Sequence, residues 1–412
     1  MARNRVIYQS EALFVTSQYT GTQTVDIVNG THSGANIPGD SLDGSELQSG
    51  NFHQIHRVQS ANYNFAINRT DVNQFGNLAR IDTAVIDAPT VGLDFTYLVT
   101  NGLNEDKLGI STAAQGKATP TTSAISGLLS NTSGRNYHIL TVKEGSDANN
   151  SALQSNSAST VISIGNGFIT NYSVSAAVGS LPTASVSVEG LNISAQTAGT
   201  GLQTPAINPS DGTQGSAKFS LPAPVSGFTD GSNTRDVVGE TIRPGDIEIN
   251  LTDGGATGLL ANMSDDGGKT SAHIQSFSID LPLGRSVLQR LGNSFGFARE
   301  VDFPVQVSCS FSAIVADLKA GNLFNELYDN TKSDIEIVMK APAAGGAAAG
   351  AAQLRYILKN CTLESESFSS SIGDNKSVDL TFSATVGGPQ DTTNGLFISG
   401  TQLADNGLRS SD

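Results

Sequence analysis

The sequence lacks tryptophan, contains only two cysteines and three methionines, and has just 15% charged residues. Its aromatic content of 6% argues against a carbohydrate-binding or carbohydrate-degrading protein, because such proteins present exposed aromatic platforms and paired carboxylates. No apolar run reaches the ~18 residues that a membrane-spanning helix needs. The start of the chain has no continuous apolar core and no small-residue cleavage site, so we expect folding in the cytoplasm of the cell that makes it.

Residues with reactive side chains are sparse and form no catalytic or metal-binding pattern. Cys309 and Cys361 lie in apolar, strand-like surroundings, which predicts reduced and buried thiols. The five histidines have no metal-ligand spacing. Residues 264–270 resemble a phosphate-binding loop but lack the glycine required five positions before Gly268. We therefore predict a protein that is not an enzyme and has no cofactor or metal.

The formal net charge of −15 disfavours free nucleic acid as a partner, because phosphate binding requires clustered Lys and Arg. Two interpretations remain: acidity that keeps the protein soluble, or a surface past which DNA slides without adhering. Gly, Ser, Thr, Asn and Ala are abundant, as in β-rich chains with many turns. The 412 residues indicate two or three domains at roughly 100–200 residues each.

Residues 57–77 occur a second time, as residues 273–293. The matched residues, all separated by 216 positions, are Gln59 and Gln275, Arg69 and Arg285, and Gly76 and Gly292. In the first copy, apolar residues recur at about every second position from Val58 to Ile67. This period predicts a strand with one buried face, and the glycine at the end of the stretch predicts a turn.

Three further features recur in the same order. A strand preceded by Pro89 matches one preceded by Pro304, and both alternate apolar and polar residues. The matches of Ala79-Arg80 with Ala298-Arg299 are separated by 219 positions, which predicts a three-residue insertion near residues 293–297. Candidate helices at 123–131 and 317–330 come next, followed by strands at 137–142 and 334–339. Closing hairpins at 161–194 and 354–388 match with a separation of 194.

Four recurring features in register predict an internal duplication. The expected domains are a first tube-like domain at 1–195, a linker or extended arm at 196–240, a second domain at 241–400 and a flexible tail at 401–412. The predicted fold class is mainly β, with two duplicated β-sandwich or barrel domains, each carrying a flanking α-helix.

Two sets of residues are candidates for function. Glu364 and Glu366 are two positions apart on a predicted strand, which places both carboxylates on one face. Three interpretations of this face remain open. It is a solvated surface, it is an acidic stripe that lines a channel, or the two carboxylates act as a catalytic pair. The matched residues Arg69, Arg285, Gln59 and Gln275 are candidate contacts between domains or between subunits.

Residues 59–105, 168–190 and 308–329 resemble the major tail tube proteins of long-tailed bacteriophages, in the class with two tube domains per chain. The resemblance covers most of 55–195 and 240–395. It implies the β-sandwich or barrel with a flanking helix that phage tail tubes share with the needle tube of type VI secretion systems.

Single-domain members of this family form hexameric rings, so the resemblance implies a trimeric ring with pseudo-sixfold symmetry. Stacked rings form a hollow tube through which the genome passes. The implied partners are other copies of the chain, the tape-measure protein and viral DNA in the lumen, the tail terminator, distal tail or baseplate proteins, and a sheath if the tail contracts. The implied location is the virion tail, assembled in the bacterial cytoplasm.

Two alternatives remain open at this point. One is a ring-forming adaptor or baseplate protein of the same tail, which would be present in far fewer copies. The other is a carbohydrate-binding β-protein of a tail fibre, which the low aromatic content disfavours.

Overall fold

The structure, a computed structural model, is mainly β with antiparallel sheets and few helices. It describes residues 11–17, 24–26, 31–33, 52–114, 123–130, 134–142, 148, 159–197, 202–208, 212–215, 218–219, 221, 224, 241–253, 272–292, 294–296, 298–315, 332–342, 352–369, 377–389 and 391–400. Over these residues, no helix is long and apolar enough to cross a membrane.

The described residues of the first half form fifteen strands and two short helices. The strands are β1 Glu11–Ser17, β2 Thr24–Asp26, β3 Thr31–Ser33, β4 Phe52–Ile55, β5 Val58–Ala66, β6 Arg69–Val72, β7 Asp82–Val85, β8 Thr90–Leu98, β9 Thr112–Ala114, β10 Arg135–Thr141, β11 Thr160–Ala177, β12 Thr183–Gly190, β13 Asn192–Thr197, β14 Leu202–Gln203 and β15 Lys218–Phe219. The helices are α1 Leu103–Lys107 and α2 Ser126–Ser130.

The second half contains nine described strands. They are β16 Ile247–Asp253, β17 Ala272–Pro282, β18 Arg285–Leu288, β19 Ala298–Val301, β20 Gln306–Val315, β21 Ser333–Lys340, β22 Ala352–Ser369, β23 Ser377–Thr385 and β24 Gly395–Gly400. A 3-10 turn, Pro244–Asp246, precedes β16.

One continuous antiparallel sheet joins the two halves, in the order β5-β8-β12-β11-β17-β20-β23-β22. The halves meet where β11 pairs with β17 through seven registered residue pairs, from Asn171 opposite Pro282 to Ala177 opposite Ser276. The same strand order occurs on each side of this joint, because β5, β8, β12 and β11 correspond to β17, β20, β23 and β22.

A second sheet covers the apolar face of each half. It has the order β4-β1-β10-β11-β13 in the first half and β16-β21-β22-β24-β9 in the second. The strands β11 and β22, each 18 residues long, take part in both sheets of their own half. Asn166 and Asn360 lie within these strands and adopt left-handed backbone conformations, with φ of 54° and 58°. Asn is one of the residues that tolerate this conformation.

The registers of the two halves repeat pair by pair. Phe95 lies opposite Ala61 and Val186, and Phe311 lies opposite the equivalent residues Phe277 and Leu380. Even the β-bulges recur, since the breaks at Ile169/Asn171 and Leu363/Ser365 are 194 positions apart. The separations of 216 and 194 found in the sequence are therefore structural equivalences.

The predicted three-residue insertion near 293–297 is wrong. Arg69 pairs with Val85 in the hairpin of β6 and β7, and Arg285 pairs with Val301 in the hairpin of β18 and β19. Both hairpins therefore have the same length, and the separation stays at 216. The Ala-Arg match at 219 positions is a coincidence of two residue types.

Other expectations had mixed outcomes. The strand expected after Pro89 is β8, whose apolar side chains are buried from Val91 to Tyr97. The candidate helix at 123–131 is confirmed as α2, whereas the candidate at 317–330 lies outside the described residues. Helix α1 was not predicted. Part of the expected linker at 196–240 forms β14 and β15 and buries Leu202 and Ala206.

Candidate assembly site

The apolar side of β5 is exposed, contrary to the half-buried strand that its alternation predicted. Tyr63 is 46% exposed and Phe65 is 62% exposed. The equivalent residues of the second half, Ile279 and Leu281, are both 0% exposed. The alternation therefore identified a common face correctly but not whether anything covers it.

Strand pairing explains this difference between equivalent residues. β17 pairs with β20 on one side and with β11 on the other, whereas β5 pairs with β8 alone among the described residues. Two backbone hydrogen bonds close the ends of the β11–β17 joint, from the Leu283 amide to the Thr170 carbonyl at 2.8 Å and from the Val178 amide to the Gln275 carbonyl at 2.9 Å. β5 thus presents an unpaired strand edge with apolar side chains beside it.

The opposite end of the large sheet has the complementary feature. The C-terminal part of β22 pairs with β23 alone among the described residues. Phe368 on this part is 50% exposed, whereas its equivalent in the first half, Val174, is 0% exposed. Val174 is buried because it lies opposite Ile279 in the joint. The chain therefore carries both partners of the β11–β17 joint a second time, at its two open edges.

The other face of the large sheet is polar across all eight strands. The carboxylates that stand among hydroxyl and amide side chains on this face include Asp94 on β8, Asp280 on β17 and Asp379 on β23. Their cross-strand neighbours include Asn62, Ser187, Ser173, Ser308, Ser312 and Ser367. The described segments of these eight strands place no Lys or Arg on this face.

Hydrogen bonds between neighbouring strands order this polar face. The hydroxyls of Ser60 and Thr96 lie 2.7 Å apart, and the Asn171 amide donates to the Asp280 carboxylate at 3.2 Å. Short hydroxyl side chains leave the surface smooth, and the aspartates give it one sign of charge. Such a surface repels phosphate, and the eight strands themselves offer no described cation to hold it.

The prediction that Glu364 and Glu366 share a face is wrong. A bulge between Leu363 and Ser365 interrupts the alternation of β22. Glu366 lies opposite the buried Leu380 and therefore points to the apolar side. Glu364 accepts a hydrogen bond from the hydroxyl of Ser383 on the polar side. Of the two glutamates, only Glu364 can contribute to the acidic face.

Arg285 lies at the base of the β18–β19 hairpin, where it contacts the first half of the chain. Its guanidinium is 4.9 Å from the centre of the Phe168 ring, and its Nε donates to the Ile169 carbonyl at 3.4 Å. Arg299 of the same hairpin lies over the same ring at 5.9 Å and pairs with Glu189 at 2.9 Å. Burial lowers the pKa of Arg285 from its ordinary value.

The other matched residues occupy different surroundings. Arg69 is exposed, and the described part of the chain provides its side chain with no hydrogen bond or ion pair. Gln59 lies on the exposed β5 and donates from its amide to the Arg57 carbonyl at 3.1 Å. The backbone carbonyl of Gln275 accepts the hydrogen bond from the Val178 amide at one end of the β11–β17 joint. Arg69 and Gln59 thus lie at an open edge, while their equivalents lie at the closed joint.

Sequence reasoning missed a buried polar cluster where the two halves meet. The hydroxyls of Tyr97 and Tyr172 donate to the Glu105 carboxylate at 2.8 and 3.0 Å. The Tyr172 hydroxyl also lies 2.9 Å from that of Tyr356 on β22. Burial raises the pKa of Glu105, an effect that the tyrosine hydrogen bonds oppose. No local sequence signal marks this cluster, because Tyr172 and Tyr356 reach Tyr97 and Glu105 only through the pairing of distant strands.

The two cysteines are buried, as predicted, and free. Burial raises the pKa of the Cys361 thiol to about 12 and raises that of Cys309 well above its ordinary value. Both thiols are therefore protonated at neutral pH. Among the described residues, no three His, Cys, Asp or Glu side chains are placed to hold a metal ion.

The tips of the two matched hairpins form a second exposed apolar surface. Phe75 and Leu78 at the tip of the β6–β7 hairpin are fully exposed, as is Leu291 at the tip of the β18–β19 hairpin. Phe75 and Leu291 are equivalent at a separation of 216. Because this exposure occurs in both halves, pairing at the sheet edges does not account for it, and a different contact is expected here.

The solved structures that match this chain include three much shorter chains. A type VI secretion system effector from Yersinia pestis is 14% identical and aligns over 36% of this chain and 95% of its own, with a TM-score of 0.18. The Hcp protein is 12% identical over 37% and 96%, with a TM-score of 0.20, and Hcp2 from Salmonella typhimurium is 14% identical over 38% and 98%, with a TM-score of 0.18. No family model and no curated protein sequence matches the chain. At these TM-scores, the function must be argued from the geometry of the chain itself.

Proposed function

We propose that this protein is the structural subunit of a bacteriophage tail tube. Three chains close into a ring of six similar units, and the rings stack into a hollow conduit for the viral genome. The observation that carries the proposal is the repeat of the β11–β17 joint at the two open edges of the large sheet. Strand β22 of one chain corresponds to β11, and β5 of the next chain corresponds to β17.

The internal joint specifies how two chains meet. Applying the separations of 194 and 216 to its registered pairs places Phe368 of one chain opposite Tyr63 of the next, and Glu366 opposite Phe65. The same rule places Ser365 opposite Ala66 and Ser367 opposite Asn64. Each contact of this kind covers the exposed apolar residues of both edges, which stabilises association by about 25 cal/mol per Å² of apolar surface removed from water.

Head-to-tail contacts between two different surfaces close a ring when the rotation is suitable and otherwise continue as a filament. The two halves of one chain already meet through one such contact, the pairing of β11 with β17. Three chains therefore supply six units. The eight strands of each chain then contribute to a barrel of 24 strands. At a strand spacing of about 4.8 Å, its backbone diameter is at least ~37 Å, which leaves room for a DNA duplex after side chains are included.

The apolar side of the large sheet packs against the second sheet of each half, so the polar side is left to line the channel. The ring then contains three copies each of Asp94, Asp280 and Asp379, and these carboxylates make the lumen acidic. This arrangement lets DNA pass without adhesion, since a single sign of charge repels phosphate along the whole surface. The exposed hairpin tips with Phe75 and Leu291 provide the contacts between stacked rings.

The proposed partners are other copies of the chain, the tape-measure protein and viral DNA within the lumen, and the terminator and distal proteins at the ends of the tube. The proposed role is structural and not enzymatic, and the proposed location is the tail of the virion.

Electron microscopy of the purified chain at high concentration tests the proposal. We expect stacked rings with a central channel and threefold symmetry that approaches sixfold. A chain that stays monomeric and monodisperse under all assembly conditions would overturn the proposal. Assembly that stops at single rings would indicate an adaptor and would contradict a tube.

A further inference from the structure

We propose that Arg69 of one chain forms an ion pair with Glu364 of the next chain, as a contact that fastens the ring between subunits. The inference rests on the ring closure proposed above and adds the residues that hold it. Arg69 lies on β6, outside the paired strands, and Glu364 lies at the bulge of β22, just before the residues that pair across the joint. Both lie beside that joint, on the polar side of the sheet.

The proposed contact between chains is equivalent to a contact around Phe168 that occurs within one chain. There the β18–β19 hairpin of the second half reaches onto the first half. Arg285 and Arg299 lie over the Phe168 ring at 4.9 and 5.9 Å, and Arg299 pairs with Glu189. Glu189 is directly opposite Phe168 on the neighbouring strand. An acid beside the end of the joint thus receives an arginine from the hairpin.

The equivalent surface on the second half has a different composition. At a separation of 194, Phe168 is replaced by Thr362 and Glu189 by Ser383. The lost carboxylate is supplied from β22, because Glu364 reaches across to accept a hydrogen bond from the Ser383 hydroxyl. The carboxylate therefore lies beside the position that Glu189 holds in the first half. The residue equivalent to Glu364 in the first half is Thr170, which carries no charge.

The approaching hairpin has changed in a matching way. At a separation of 216, Arg285 is represented by Arg69, and Arg299 is replaced by Thr83. Arg80 also lies on this hairpin but pairs with Asp71 at 3.0 Å. Arg69 is the arginine at the base of the hairpin, paired with Val85 as Arg285 is with Val301. It therefore reaches the next chain where Arg285 reaches the first half.

The electrostatic surroundings favour this partner. Lys332 donates to the Thr362 hydroxyl at 2.7 Å, so the surface that Arg69 approaches already contains one cation. Without the Glu364 carboxylate, the two cations would repel each other at the joint. With it, Arg69 meets a carboxylate that, in the described structure, forms no ion pair with an arginine of the chain to which Glu364 belongs. The exchange of Glu189 and Arg299 for Glu364 and Arg69 keeps one pair of an acid and an arginine at each joint of the ring.

Charge reversal with rescue tests the ion pair. We expect Arg69→Glu and Glu364→Arg each to lower the yield of rings in low salt by roughly tenfold or more, because like charges then meet at all three joints between subunits. The double variant Arg69→Glu/Glu364→Arg restores the pair in reverse and should recover most of the yield. Arg80→Gln is the matched control, since Arg80 is an exposed arginine of the same hairpin with a partner inside it. It should assemble like the wild type.

The outcomes separate this inference from the proposed function. If the wild type forms rings and either single reversal assembles normally, the ion pair is overturned while the tube remains. If the double variant is no better than the worse single variant, the two residues act independently and the pairing is also overturned. If the wild type never forms rings, the proposed function fails and the ion pair fails with it. The alanine variants Arg69→Ala and Glu364→Ala supply a second measurement, because paired residues give losses that are not additive.

Discussion

Tyr172 and Tyr356 meet hydroxyl to hydroxyl at 2.9 Å, and they belong to different halves of the chain. Tyr172 also donates to Glu105, so the contact connects α1, β11 and β22 in one buried network. Its residues have no equivalents of the same chemistry at the outer edges, where Glu366 takes the place of Tyr172 and Ile162 that of Tyr356. The network therefore distinguishes the joint within a chain from the joint between chains.

The first prediction concerns the strength of this network. Glu105→Ala leaves the hydroxyls of Tyr97 and Tyr172 without their acceptor in a buried site, and each unsatisfied group costs about 1–3 kcal/mol. Tyr356→Phe removes one hydrogen bond and should cost about 1 kcal/mol. Chemical denaturation of the monomeric chain measures both. Equal stability of Glu105→Ala and wild type would show that the network does not stabilise the junction.

The second prediction concerns pH. Burial raises the pKa of Glu105 in the folded chain, so the folded state binds this proton more tightly than the unfolded state does. The resulting stabilisation is complete below the ordinary carboxyl pKa and is lost as the pH rises through the raised value. Glu105→Gln cannot titrate. The free energy of unfolding of wild type minus that of Glu105→Gln should therefore fall across this interval, and a constant or rising difference would contradict the account.

The third prediction concerns the exposed apolar row on β5. Phe65→Asp should leave the monomer folded, because Phe65 is exposed, but should abolish ring formation by placing a second carboxylate opposite Glu366 in the joint. Asn64→Asp is the matched control on the polar face of the same strand. It introduces the residue that the second half already has at Asp280 and should be tolerated. Sedimentation and circular dichroism separate assembly from folding, and normal ring formation by Phe65→Asp would contradict the role of this edge.

The fourth prediction concerns the polar face. Replacing Asp94, Asp280 and Asp379 together with Lys should make assembled tubes retain DNA, with binding that weakens steeply as salt increases. The corresponding triple Asn variant removes charge without adding cations and should retain none. Retention of labelled duplex DNA by pelleted tubes measures the difference. Failure of the Lys variant to bind DNA would indicate that this face does not line the channel.

Much of the architecture could be predicted from the sequence because the duplication places the same pattern of residues in both halves of the chain. The match of Arg69 with Arg285 and the hairpin matches at 194 positions correspond to equivalent registers in the structure. The alternation of polar and apolar residues also identified the buried face of β8. These signals are local and repeat with a fixed period, which is why they can be read without coordinates.

Other features depend on information that no local pattern contains. Alternation groups Tyr63 and Phe65 on one face, but burial depends on whether a neighbouring strand covers them. The bulge that separates Glu364 from Glu366 changes the alternation by one residue and leaves no mark in the residue types. Helix α1 has only five residues, and its Glu105 meets Tyr97 from the preceding strand together with tyrosines from two strands that are distant in the sequence.

The most direct test of the central claim is a disulfide between neighbouring chains. The register of the internal joint places Tyr63 opposite Phe368 of the next chain, at the ~4.5–5.5 Å Cα separation of antiparallel partners, which suits a disulfide. Tyr63→Cys/Phe368→Cys should yield a covalent trimer on oxidation, since the native cysteines are buried. Tyr63→Cys/Ser367→Cys, shifted to the opposite face, should not. Equal cross-linking by both variants, or none by the first, would contradict ring closure through β22 and β5.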